Sequence, residues 1–148
     1  MNEANEVDEL LHELRRAFEL LDPPPPALFE AARAAFAFRD PDASLAELTR
    51  EATPAAAGLR GSSRLLTFTG DDVTVELQVS PAGGVRVLTG RLSPARPATL
   101  CVRHSRGETR THVDESGHFV AGDVPPGQVM LHFTLPDATT VVTSWSRL

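Results

Sequence analysis

The sequence predicts a mainly β protein, an antiparallel β-sandwich of about seven to eight strands preceded by an α-helical N-terminal arm. Three observations predict it. From Arg64 onward apolar and polar residues alternate with period two; clusters of Gly, Pro, Asp and Ser break that alternation at short, regular intervals; and before residue 53 apolar residues recur instead at spacings of three and four. The chain is therefore expected to comprise a helical acidic arm (1–52), a linker (53–63) and a β domain (64–148).

In "VDELLHELRRAFELL", residues 7–21, the residues Val7, Leu11, Leu14, Phe18 and Leu21 lie at alternating spacings of four and three, with Leu10 and Ala17 widening the stripe. That is an amphipathic helix. It stops at "DPPPP", Asp22 to Pro26, because proline has no amide hydrogen to donate and clashes with the preceding turn. A second helix is expected from about Pro26 through "ALFEAARAAFAFR", with Phe29, Ala32 and Phe36 on one face and Phe38 off it. A third, shorter one is expected in "DPDASLAELTREA", with Asp40 as its N-cap and Leu45, Leu48 and Ala52 as its stripe. Helices of this length are marginal in water without a packing partner, so the arm is expected to dock. The choice is between a hairpin packed on itself or on the β domain, and a surface for another chain made by Leu11, Leu14, Phe18, Phe29, Phe36 and Phe38. Residues 53–63, "TPAAAGLRGSS", are small and rich in breakers and have no periodicity, the composition of a linker.

Strands are expected at 64–69, 73–79, 84–92, 98–105, 108–113, 117–121, 127–135 and 139–147. In "DESGHFVAGDVPPGQV", Asp114 to Gly117 reads as a tight turn with Gly117 at positive φ, Phe119 as a core residue, and Pro125-Pro126-Gly127 as an extended corner. In the strand that follows, Val129, Leu131, Phe133 and Leu135 are expected to face inward and Met130, His132 and Thr134 outward. Over residues 64–148 this combination closely resembles carboxypeptidase regulatory-like domains, whose transthyretin-like (prealbumin-like) sandwich repeats acid-x-x-Gly-x-Phe, a Pro-Pro-Gly corner and an alternating strand. The resemblance implies a spacer, a folding support or an interaction module. The whole chain, from the arm through "LFEAARAAFAFRDPDASLAEL" to "VVTSWSRL", also resembles small actinobacterial proteins encoded beside sigma factors, which implies a regulatory or adaptor role with a sigma factor as partner. The histidine and paired-cysteine motif of zinc-binding anti-sigma factors is absent, so such a role would be metal-free.

Composition narrows the chemistry. The 148 residues contain no Lys and no Tyr, and all 14 positive charges are Arg. Schiff-base chemistry, the phosphate-loop lysine and lysine isopeptide crosslinks are thereby excluded, and the single Cys101 excludes an intrachain disulfide and multi-cysteine zinc motifs. Residues 1–52 carry 12 Asp/Glu against 5 Arg, while residues 53–148 carry 8 against 9. The acidic arm repels phosphate backbones and favours a basic protein surface over nucleic acid as partner. No run approaches the roughly 18 apolar residues of a membrane helix, and "MNEANEVDELL" is acidic where a signal peptide is basic and then apolar, so a cytoplasmic protein without a membrane span is expected.

No catalytic constellation, cofactor site or metal site is predicted. In the hairpin "TLCVRHSRGETRTHV", a two-residue turn at Arg106-Gly107 would set Cys101 opposite His112 and Arg103 opposite Arg110. A thiol enzyme through Cys101 and His112 is the least favoured reading, because no cleft or helix dipole accompanies the pair. The two arginines are instead candidate partner-binding residues. His104, His112, His118 and His132 show no two-ligand motif, His12 lies on the polar side of its helix, and the acid pairs Asp71-Asp72 and Asp114-Glu115 fall in turns. The main alternative is a small-ligand or carbohydrate-binding sandwich, for which Trp145 is the one candidate stacking platform.

Overall fold

A computed structural model describes residues 3–37, 39–53 and 63–148 of the chain. These divide into two compact units, Met1–Arg39 and Asp40–Leu148. Phe38 and most of the expected linker, 54–62, lie outside the described residues.

The first unit holds two helices, α1 (Glu3–Leu21) and α2 (Pro26–Ala37). Both arise where the three-four periodicity predicts them, and α1 begins four residues earlier than its stripe. The amide of Asp22 still donates to the Phe18 carbonyl (2.9 Å), after which the prolines end the helix; α2 opens as the Leu28 amide donates to Pro25 O (2.9 Å). The apolar stripes of both helices are exposed. On α1 the least exposed seam residue, Leu14, is still 51% accessible, and Phe29 and Phe36 on α2 are 54% and 71% accessible. A hairpin packed on itself, one of the two expected arrangements, would bury these side chains.

The second unit is built from ten strands among the described residues: β1 (Ser44–Ala52), β2 (Arg64–Thr69), β3 (Thr74–Ala82), β4 (Val85–Ser93), β5 (Ala98–His104), β6 (Gly107–Val113), β7 (His118–Val124), β8 (Gln128–Thr134), β9 (Thr140–Thr143) and β10 (Ser146–Arg147). Seven of the eight strands expected from residue 64 onward form with nearly the expected limits. The eighth, 139–147, is split. Its middle leaves the β8 ladder to serve β1: the Ser144 amide donates to Ala46 O (2.9 Å) and the Ser144 hydroxyl accepts from the Leu48 amide (3.1 Å). The buried Thr143 hydroxyl fills the gap left on β8 by accepting from the Leu131 amide (3.0 Å).

Two expectations are corrected here. The expected third helix at 40–52 is a strand, so the helical unit ends at Arg39. Its Leu45 and Leu48, read as a helical stripe, are 51% and 38% exposed, and the residue it buries is Ala46. Helix propensity is weak beside the two ladders that β1 completes. Ser44 to Ala46 run parallel to β9 and Glu47 to Ala52 run antiparallel to β2, with a register shift between Leu48 and Arg50. The second correction concerns the sandwich. Instead of an all-antiparallel sandwich of seven to eight strands, the strands follow one mixed path, β6-β5-β8-β9-β1-β2-β3-β4-β7, with β10 on β8. The two ends of that path lie side by side, where the Thr111 hydroxyl donates to Val120 O (3.0 Å), so the sheet is nearly closed into a barrel.

Inside lie Phe68, Leu77, Leu88, Leu100, Phe119, Leu131 and Phe133. Val129, Leu131, Phe133 and Leu135 face inward as expected; Met130, expected to face out, is only 6% exposed. Phe119 and Phe133 meet edge to face with ring centroids 5.6 Å apart. Gly90, paired with Phe119 across β4 and β7, makes that contact possible, since a Cβ at position 90 would strike the Phe119 ring. Phe119 is itself delivered by the Asp114 turn. There Asp114 Oδ1 accepts from the Ser116 and His118 amides (2.8 and 2.9 Å), and Gly117 takes φ +81° with its carbonyl on the Leu92 amide (2.8 Å). Past the Pro-Pro corner, Gly127 exchanges two backbone hydrogen bonds with Leu148, 2.9 and 3.1 Å, which seats β10.

Truncating Phe119→Ala is expected to cost about 3 to 5 kcal/mol in urea melts, as for a buried aromatic whose space cannot collapse. Gly117→Val is expected to destabilise as well, because positive φ costs a β-branched residue on the order of 1 to 3 kcal/mol and the new Cβ would collide with Leu92 O. A loss below about 1 kcal/mol in either melt would contradict the packing described.

Candidate functional site

Three surfaces carry the residues that could act. The first is the outer face of β5, β6 and β8. Its hairpin closes one residue earlier than expected: His104 pairs with Gly107 and the two-residue turn is Ser105-Arg106. Gly107 is required at the first position of β6, where φ is +123°. The shift corrects the expected pairs. Cys101 stands opposite Arg110 and Arg103 opposite Glu108, while His112 pairs with Thr99. Because the shift is by an even number in sequence, Cys101, Arg103, Arg110 and His112 still share a face. On the other side of β5 the cross-strand neighbour of Cys101 is His132.

The Cys101 thiol donates to Glu108 Oε2 (3.1 Å), and Glu108 Oε1 accepts from Arg110 Nε (2.8 Å). Burial, followed by the hydrogen bond and charge of Glu108, pushes the thiol above its ordinary pKa, against a smaller opposing effect of Arg103. Glu108 moves the other way, held below the usual carboxylate range by the thiol and by Arg110. The surroundings of Cys101 thus favour the protonated, hydrogen-bond-donating form of the thiol over the thiolate.

His132 belongs to a different set. Asp40 Oδ2 accepts from the Thr140 hydroxyl (2.9 Å) and lies 3.3 Å from His132 Nε2, and Asp40 Oδ1 accepts from the Asp42 amide (3.2 Å). Asp40, expected to cap a helix, instead clamps the approach to β1 onto β8 and β9. The Thr140 hydrogen bond is the largest influence holding its carboxyl below the usual range. His104 lies apart from this set: its Nε2 meets Thr109 Oγ1 (3.2 Å), its Nδ1 accepts from the Arg106 amide (3.3 Å), and burial lowers its pKa. Among the described residues no three His, Cys, Asp or Glu side chains are grouped to hold a metal ion.

The second surface was not found by sequence reasoning. Cross-strand pairing sets Arg50, Thr67, Glu76, Arg91 and His118 in one row across β1, β2, β3, β4 and β7. A shallow groove of about 460 Å³ runs over them. Period-two alternation marks Thr67, Glu76, Arg91 and His118 as outward-facing, whereas Arg50 lies where a helix was expected, and only the strand order brings the five into line. Trp145, the candidate stacking ring, is 39% exposed and is absent from the groove lining.

The third surface is the arm. Leu11, Leu14 and Phe18 of α1, with Arg15, Asp22 and Pro24, line a groove of about 390 Å³. Val7, Leu10 and Leu21 continue the exposed stripe along α1, and Leu28, Phe29 and Phe36 present another on α2. Arg110 has an exposed side chain, although it is ion-paired with Glu108; Arg103 is half-buried. No helix of the described residues is long and apolar enough to cross a membrane.

Native Cys101 is expected to react with iodoacetamide more slowly at about pH 8 than the same thiol in the urea-unfolded chain, whose pKa is the ordinary one of about 8.5; equal or faster native labelling would contradict the raised pKa. Asp40 carries a pH signature. Its pKa is lower folded than unfolded, so its stabilisation is complete above the unfolded value, about 3.9, and is lost as pH falls through the folded one. Asp40→Asn should therefore flatten the acid limb of the stability curve below about pH 4, and an unchanged limb in thermal melts would remove the clamp's role. No protein-family model, curated protein or solved structure matches this chain.

Proposed function

We propose that this chain is a non-enzymatic adaptor or regulator that works by binding another protein chain through its helical arm. The observation that carries this reading is the exposure of the apolar stripes of α1 and α2. The β unit serves as the scaffold. Acidic residues crowd the N-terminal half of α1, which favours basic groups on whatever covers the stripe and disfavours nucleic acid. A cytoplasmic setting with a sigma factor as partner follows from the resemblance to small actinobacterial proteins. The raised pKa of Cys101 supports a role without thiol catalysis.

The test is crosslinked capture from lysate with the full-length chain and its Leu14→Glu/Phe18→Glu variant. Buried anchors at such interfaces are worth on the order of 2 kcal/mol each, roughly thirtyfold in affinity, so the variant should lose the captured chain while Arg110→Ala keeps it. Equal capture by both would end the arm's role. A second reading, binding of a small polar ligand, is favoured by the row from Arg50 to His118 and its groove. Calorimetry against a glycan panel, with Arg91→Ala and Trp145→Ala as controls, tests it; no heat from the parent chain rejects it.

A further inference from the structure

We infer that the apolar face of α1 is covered by α1 of a second copy of this chain, running antiparallel to the first. This rests on reading the arm as a docking surface, and it names the occupant. Val7, Leu11, Leu14, Phe18 and Leu21 keep a strict four-three spacing along a 19-residue helix, the a/d seam of a two-helix coiled coil. In an antiparallel pair, each a position faces a d position of the neighbour. Setting Leu11 against Leu14 of the second copy sets Val7 against Phe18 in the same register, and the two-fold axis repeats every contact.

The flanks agree with that register. Asp8 comes beside Arg15 of the second copy on one flank, and Leu10 beside Ala17 on the other, so one edge is ionic and the other apolar. Parallel pairing would set Leu10 beside Arg15 of the neighbour. It would also set Asp8, Glu9 and Glu13 level with the same three acids. Antiparallel pairing in this register instead brings Asp8 and Glu9 level with the Arg15–Ala17 stretch of the second copy. Charge thus selects the orientation, and the basic group that the acidic half calls for is one that α1 itself supplies. Six acids against two arginines still leave each α1 net negative.

Sedimentation equilibrium on the full-length chain tests the pairing. The mass should rise with concentration from 15.9 kDa toward twice that value. Leu14→Glu should hold the chain monomeric with the melt of the β unit unchanged. Asp8→Arg and Arg15→Asp should each weaken association several-fold by placing like charges together, and the double variant Asp8→Arg/Arg15→Asp should restore it. A chain monomeric at every concentration overturns the pairing, as does a dimer that survives Leu14→Glu or is not rescued by the double variant. If the chain is monomeric yet loses partner capture on Leu14→Glu, the self-pairing fails and the arm's docking role stands. If mass and capture both ignore that substitution, both readings fail.

Discussion

The β unit depends on how one strand divides its backbone hydrogen bonds. Ser44 to Ala46 bond to β9 and Glu47 to Ala52 bond to β2, so β1 is the element through which the β5-β6-β8-β9 half and the β2-β3-β4-β7 half become one sheet. Without it each half would end in an open edge with unpaired amides and carbonyls. Supporting polar groups gather around β1. Ser144 bonds it at Ala46 and Leu48, Asp40 fixes its approach to Thr140 and His132, and Arg64 binds Glu51 while also donating to Arg147 O (2.9 Å). The bonds that join the halves are thus a mixture of strand ladder and side-chain substitutes.

Strand limits from Arg64 to Thr134 were legible because a half-buried strand leaves a period-two record and its turns leave glycine, proline and aspartate. The Asp114 turn, the positive φ of Gly117 and the burial of Phe119 follow from local chemistry alone, and local chemistry is what a sequence displays directly. β1 was not legible for the opposite reason. Its Leu45, Leu48 and Ala52 fit a helical stripe, and the residue that decides its state, Ala46, is small and unremarkable until the neighbouring edges are known. Closure of the sheet was hidden likewise, since it depends on β6 meeting β7, five residues apart in sequence but at opposite ends of the strand order.

The candidate surfaces divide along the same line. The stripe of α1 was readable in full, as were the partners' shared face in the hairpin, because helix and strand periods are local. The hairpin register slipped because the glycine was needed at the start of β6 and not in the turn, and that slip moved Cys101 from His112 to Arg110. The row Arg50-Thr67-Glu76-Arg91-His118 draws one residue from each of five strands, and no periodicity within any one of them announces the alignment.

Asp40 is the first residue of the β unit, directly after the helical arm, and its carboxylate is fastened to Thr140 and His132 on β9 and β8. Any tension drawn along the chain by something gripping the arm reaches the sheet at this residue. The hydrogen bonds of Asp40 would bear that load before the β1 ladder does, and they would act as a strain relief that keeps a tug on the helices from peeling apart the strand on which closure depends.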